Sequence, residues 1–483
     1  MWLIVVVVTL LLLRMRIASA STSPTPPTYD VRFLKTNSSG APVPFISSDN
    51  PDADVFIKFG AGPMFPSVVE VGSSSALRKV DRKANFYLYY AAHRGKCIKM
   101  AWAQFLEGPW HDYNNPTFAH GCGVMPLPKR RKRGRGQRQG TFGWDHVSAP
   151  HVLYNAKHRR FVMFFHGRHG GRGGHSSFIA TSQNGFDFSG TFDLVDSSLL
   201  QGQGVATWLM DGKHRPIIMG TNYSRPFFHD ADGDGEAEFY VIGKRGRVCR
   251  LPHYVWKSSL QQVDMTTNNN PIDMTQNLAK CDETPENLYE MVDGKENAYD
   301  YIYKSPLTEF LASRQFANHP NNPFPGQIIH SVANAGNESF AFANHVGLYK
   351  ASHESSDEIT GVNELEVFFY IKTPWTRRGT EVPHPTYQSL YRVIYQLSDF
   401  RTNEQQRNGI EPFEVWHLKQ DLSNEVIFEE VLSPTEMGIG PAGDSFVHKF
   451  SNGNKYIFFS TGPEGNIYGA ELRKRQRSTT NTY

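Results

Sequence analysis

The chain has 483 residues, enough to bury a substantial core in two or three domains or in one large all-β domain. Its 13% aromatic content, together with 41 Gly and 29 Pro, favours many strands and turns and speaks against a helical bundle. A formal net charge of +3 is too small to single out a class of partner.

The first element is an apolar run, Leu3–Leu13, which ends in Arg14 and Arg16 and is followed by Ala18-Ser19-Ala20. The run is too short to span a bilayer, and the small-residue pattern suits cleavage after Ala20. Residues 1–20 are therefore expected to be a signal peptide and the protein to be secreted, with no stable membrane insertion. Because the charges follow the run, an uncleaved anchor in the secretory pathway is the alternative. Secretion would make Asn37, Asn222 and Asn337, each in an Asn-X-Ser triplet, glycosylation acceptors. It would also let Cys97, Cys122, Cys249 and Cys281 form two disulfides. Cys97 with Cys122 and Cys249 with Cys281 are the shortest closures, three connectivities are open, and a buried thiol is the plain alternative for each.

Residues 21–50, rich in Ser, Thr and Pro, are expected to be a linker or extended arm. A strand-rich body covers 51–473, and 474–483 is a polar tail. Three stretches of the body repeat one pattern of aromatic strand, polar turn and second strand: Phe86–Trp110, Arg160–Phe188 and Lys455–Leu472. Such a unit, recurring every several tens of residues, predicts an all-β fold, a β-propeller with loop insertions. Repeat cores near Tyr87, Phe161, Phe239, Val367 and Tyr456 make it five-bladed.

Two insertions interrupt the repeats. Residues 129–138 carry seven basic side chains in ten, and Gly134 and Gly136 argue against a helix there. This loop reads as a solvated insertion, a basic processing target, or a holder of an anionic polymer. No nucleic acid partner is expected of a secreted chain. Residues 252–322 form a polar insertion, helical or irregular. Between them, His229–Phe239 places Asp230, Asp232 and Asp234 at alternate positions, with Gly235 for the turn and Glu238 following. Oxygen ligands at every second residue let a tight loop wrap one hard cation, so this is a candidate structural calcium site. An Asp-Gly hairpin turn is the plain alternative.

Several segments go beyond a generic propeller. Tyr87–Lys96, Ile98–Ala103 and Leu106–Trp110 resemble the first blades of glycoside hydrolase family 43-like proteins. His146–Val152, Phe161–Gly167, Ala180–Phe188 and the last repeat, Gly443–Leu472, are similar to that family too. The resemblance covers most of 55–472 and implies three carboxylates in a central pocket, one of them a general acid, as glycosidic cleavage requires. The sequence departs from that pattern three times. Phe59–Phe65 holds no acid, Pro150-His151 stands where Pro-Asp is expected, and Ile218-Met219-Gly220 holds no Glu.

The candidate catalytic residues are His151, Asp145, His166 and Asp444, and the candidate substrate-binding residues are His93, His146, Arg225 and His345. The histidines, with His448, are expected where blade residues face a central cavity, Asp145 and Asp444 accompany them, and imidazoles with carboxylates supply acid–base chemistry near neutral pH. Arg225 could pair with a carboxylate or sulfate on a sugar. Each has a bland counterpart: a hydrogen-bonded structural His, an ordinary ion pair, or, for Asp444, a turn cap. Trp102, Trp110, Trp144 and Trp208 are potential sugar platforms or simply packing. The leading expectation is a carbohydrate-active protein, a divergent glycosidase acting on poly- or oligosaccharide. The alternatives are a noncatalytic glycan-binding propeller and a polysaccharide lyase using His, Tyr and Arg.

Overall fold

A computed structural model describes residues 28–57, 62–72, 77–92, 95–116, 122–126, 144–155, 160–169, 175–188, 225–229, 238–242, 246, 248–250, 280–281, 290–291, 301–302, 305–323, 326, 340–347, 364–372, 389–399, 414–433, 437–440, 442–461 and 465–475. Among the described residues five larger, mainly antiparallel sheets follow one another along the chain, with a two-stranded one, Glu290–Met291 and Tyr301–Ile302, between the third and fourth. Sheet I contains Pro63–Glu70, Phe86–Ala92, Cys97–Ala103 and His111–Tyr113, with Met125–Pro126 also paired to Cys97–Ala103. Sheet II contains Trp144–Asn155, Arg160–His169 and His175–Ser182. Sheet III contains Arg225–His229, Glu238–Ile242, Val248–Arg250 and Lys280–Cys281. Sheet IV contains Phe340–Gly347, Glu364–Lys372, Leu390–Asp399 and Glu414–Leu418, with Phe428–Leu432 on the third strand. Sheet V joins Ala442–Lys449, Lys455–Thr461 and Ile467–Lys474 to Tyr29–Phe33 and Ile46–Ser47, and Val55–Phe56 pairs in parallel with Ile46–Ser47.

The second strand of each sheet is one of the five sequence repeats, and packing explains its aromatic run. Tyr87 and Tyr89 face sheet II, whereas Leu88 and Tyr90 face sheet V. Val367 and Phe369 face sheet III, and Phe368 faces sheet V. Alternation with period two thus delivers neighbouring side chains to two different cores, and the strand reads as an unbroken apolar run. Burying one such Phe fully contributes about 1.5–3 kcal/mol.

Separate hydrophobic clusters fill the seams between sheets I and II, III and IV, IV and V, and V and I. The opening strand of each sheet lies beside that of the next, and the opening strand of sheet V beside that of sheet I. Among the described residues no hydrophobic cluster joins sheets II and III. The expected fold class is therefore met as an all-β chain of sheets in series, while a closed five-bladed propeller is not seen.

The N-terminal stretch departs from its expected reading. Tyr29–Phe33 pairs with the C-terminal strand from Lys474 back to Ala470, and Phe45 is fully buried. Ser, Thr and Pro in 21–50 obscured this strand, because composition does not see a partner more than 400 residues away. Two short helices, Pro306–Leu311 and Arg314–Ala317, lie in the expected polar insertion. Ser305 and Thr308 form a reciprocal capping box at the first helix, and Pro306 enters where its missing N–H costs nothing.

A buried ion network locks sheets IV and V together. Glu366 Oε1 lies 2.6 Å from Arg392 Nη2 and accepts the Tyr29 hydroxyl at 2.7 Å, and its other oxygen receives Lys455. Arg392 Nη1 reaches Glu429 at 2.6 Å, and Glu429 also accepts the Thr28 amide at 3.0 Å. Two carboxylates and two cations balance, so the cluster adds no net buried charge. Burial alone would push the Glu366 carboxyl up, but Arg392 and Lys455 outweigh it and hold it at about 2, below its ordinary 4.5. A depressed folded pKa gives stability that is fully present above about 4.5 and lost as pH falls toward about 2. Thermal melts across that window should lose on the order of 3 kcal/mol from this group. A Glu366→Gln variant should show a flatter acid limb, and an unchanged limb would contradict the assignment.

Candidate functional site

Four opening strands share a local device. In sheet I, Phe65 and Pro66 face a single partner position between the pairs Met64–Ala91 and Ser67–Tyr89. In sheet II, Ala149 and Pro150 do so between Ser148–His166 and His151–Phe164. Gly443 and Asp444 repeat this in sheet V, and the register of sheet IV slips by one residue between Ala343 and His345. These are β-bulges, in which one extra residue bends the strand and re-aims its side chains. Pro66 and Pro150 have no N–H to give the ladder. The residues before them turn left-handed, Phe65 at φ 57° and Ala149 at φ 51°. Non-glycine residues rarely adopt that conformation, and such strain gathers at functional sites.

Ser67, His151, His345 and Ser445 occupy the equivalent position just after each bulge. Ser67 Oγ accepts the Val152 amide at 2.9 Å, bridging sheets I and II. The His151 ring lies 5.4 Å from that of Phe446 in sheet V. Arg225, which opens sheet III, donates Nη1 to the Pro150 carbonyl at 3.1 Å and so ties sheets II and III. Sheets II, III and V therefore meet at the Pro150–His151 bulge, and Asp444 stands two residues before Phe446 on the sheet V strand.

Two predicted residues, His151 and Arg225, thus meet this bulge, and a third, Asp444, lies on the sheet V strand that brings Phe446 to it. All three are buried, as is His146 five residues upstream of His151 on the same strand. A buried charge survives only with polar partners, so Arg225 and Asp444 mark polar interior apart from the Glu366 network. An imidazole able to move a proton, a carboxylate and a guanidinium able to hold an anion make up its chemical repertoire. Met64, Phe65 and Ala149 form a small apolar cluster beside it.

Other candidates are placed less completely. Asp145 lies on the opening strand of sheet II, His345 on that of sheet IV, and His166 opposite Ser148, with all three side chains outside the described residues. His93, Asp230, Asp232 and Asp234 also lie outside them, as do residues 1–27 and the basic loop 129–138. Glu238 pairs with His229 at the mouth of the sheet III hairpin, so the acidic segment is the hairpin's connection. Among the described residues no three His, Cys, Asp or Glu side chains are grouped to hold a metal. No helix among them is long and apolar enough to cross a membrane.

Some expectations are corrected. His448 has its ring between those of Phe446 and Phe450. Trp110 is no sugar platform, since it is buried against Phe45 at 5.8 Å. The Cys97–Cys122 bridge is not formed: both are free thiols. Cys249 and Cys281 are directly opposed across two strands of sheet III. Sequence reasoning missed Ser67, Ser148 and Ser445, although a Ser flanks Pro66, the Ala149-Pro150 pair and Asp444 alike.

No known protein-family profile and no curated protein sequence matches the chain. Solved structures similar to it are glycoside hydrolase family 43 proteins. They include a thermostable family-43 glycoside hydrolase, at 11% identity and TM-score 0.37 over 86% of this chain and 89% of the other. An exo-beta-1,3-galactanase from Phanerochaete chrysosporium is similar at 11% identity and TM-score 0.38, over 93% of this chain and 65% of the other. An arabinanase of Bacillus subtilis is similar at 8% identity and TM-score 0.35, over 86% and 95%.

Proposed function

We propose that the five sheets are the blades of a divergent β-propeller that acts on poly- or oligosaccharide as a glycosidase. The observation that carries this reading is the convergence of three opening strands at the Pro150–His151 bulge, with Arg225 bonded to the Pro150 carbonyl and the His151 ring against Phe446. The motif resemblance in the sequence supplies the substrate class. In this reading His151 moves the proton, Asp444 provides the surviving carboxylate, and Arg225 with His146 orients the sugar. The test is release of reducing ends by the purified protein from neutral, sulfated and uronic polysaccharides. Ultraviolet absorbance of unsaturated product would instead reveal a lyase.

A second reading is favoured by one feature. Phe59–Phe65 holds no acid, with Met64 and Phe65 packed in an apolar cluster, and His151 stands where Pro-Asp is expected, which suits a propeller that binds glycans without cutting them. Saturable binding with no product would select it.

The sheet III hairpin supports a further assignment. Strand pairing ends at His229 opposite Glu238, so Asp230, Asp232 and Asp234 sit in the connecting loop with Glu238 at its exit. These oxygens would hold a structural calcium that supplies cross-linking to the turn. Chelation is expected to lower the melting temperature and added calcium to restore it; a melt indifferent to both would contradict the site.

A further inference from the structure

The hairpin that follows the N-terminal strand of sheet V stands apart from the corner described above. Backbone hydrogen bonds fix its arms. The Leu34 amide donates to the Gly469 carbonyl at 3.0 Å, the Val43 amide to the Lys35 carbonyl at 3.0 Å, and the Phe45 amide to the Ile467 carbonyl at 2.8 Å. Thr36 and Pro42 form an isolated bridge across the hairpin, and residues 36–41 at its tip are all exposed. The Asn37 amide donates to the Ala41 carbonyl at 2.9 Å, and the Gly40 amide to the Asn37 carbonyl at 2.9 Å. Gly40 supplies the left-handed residue this turn needs, at φ 83°.

The Asn37 side chain organises the tip. Its Oδ1 accepts the Ser39 amide at 3.0 Å, the Ser39 hydroxyl at 2.7 Å and the Ala41 amide at 2.9 Å. None of these contacts uses Nδ2, which has no hydrogen-bond partner among the described residues. Asn37-Ser38-Ser39 is one of three Asn-X-Ser triplets in the chain, and Asn222 and Asn337 lie outside the described residues.

We propose that Asn37 carries an N-linked oligosaccharide, an assignment that rests on entry of the chain into the secretory pathway. The donor is an oligosaccharide held on a polyprenyl diphosphate, and a cellular oligosaccharyl transferase brings the two together. The Asn37 Nδ2 nitrogen bonds to the anomeric carbon and gives up a proton. The bond from that carbon to the diphosphate oxygen breaks, and polyprenyl diphosphate leaves with the electron pair. The folded hairpin accommodates the product. Oδ1 keeps all three of its donors, so the turn is unchanged, and the sugar extends from an exposed tip. Ser39 serves twice, since its hydroxyl completes the acceptor triplet and also donates to the side chain that is modified.

The full chain would be expressed through a eukaryotic secretory pathway and its peptides mapped by mass spectrometry before and after treatment with peptide:N-glycosidase. The peptide holding Asn37 is expected to carry a hexosamine-containing mass that the enzyme removes, converting Asn37 to aspartate. Asn37→Asp keeps the Oδ1 acceptor, and with it the turn, and should lose that mass with the fold intact. Ser39→Ala should lose it too, whereas Ser39→Thr should retain it. Entry into the pathway would be read from loss of residues 1–20 or from a glycan on Asn222 or Asn337. A chain that enters and yet leaves Asn37 bare would overturn the assignment at the hairpin. A chain that keeps residues 1–20 and carries no glycan at all would overturn it through its premise.

Discussion

Glu366→Ala is expected to destabilise the folded chain by about 3–5 kcal/mol, because it leaves buried charges uncompensated. Arg392 and Lys455 both lose their shared carboxylate, and the Tyr29 hydroxyl loses its acceptor. The damage falls on the seam where the N-terminal strand, sheet IV and sheet V meet. An exposed ion pair would behave differently, contributing about 0–1 kcal/mol. Urea denaturation separates the two cases, and a loss below about 1 kcal/mol would show that the network contributes no more than a surface pair. Replacing Glu366, Arg392 and Lys455 together by Met should recover much of the loss, since apolar groups of similar volume leave no orphaned charge.

The second large effect concerns function. His151→Ala should abolish sugar turnover, or reduce it by about 100-fold or more, the scale expected when a proton-transfer group is removed. The ring is buried against Phe446, so the variant also opens a cavity and its melting temperature must be measured alongside. His151→Gln separates the two contributions, because it keeps most of the volume and loses the acid–base chemistry. Full turnover in His151→Gln would remove His151 from the chemistry.

The middle strands were legible because, in sheets I, II, IV and V, both of their faces are buried, which writes an aromatic run into the sequence. Their opening partners were harder to read, since the bulges place Pro66, Pro150 and Gly443 inside strands, where they read as breaks. His151, Arg225 and Asp444 stood out as residues, but the meeting of their strands did not, because it joins segments some 300 residues apart in sequence. The Glu366 network was invisible for the same reason: its charges are scattered along the chain, and only packing of sheet IV on sheet V makes them neighbours. Tyr29–Phe33 was lost to composition, as its Ser- and Pro-rich surroundings suggested a linker.

The most direct test of the central claim is equilibrium binding of the purified protein to the polysaccharide panel, run beside product release for wild type and Arg225→Ala. A sugar site at the meeting of sheets II, III and V predicts saturable binding by wild type, with or without product, and at least a tenfold loss in the variant, about 1.4 kcal/mol. Absence of binding and product on every polysaccharide by a folded, calcium-supplied wild type, or undiminished binding by Arg225→Ala, would contradict it.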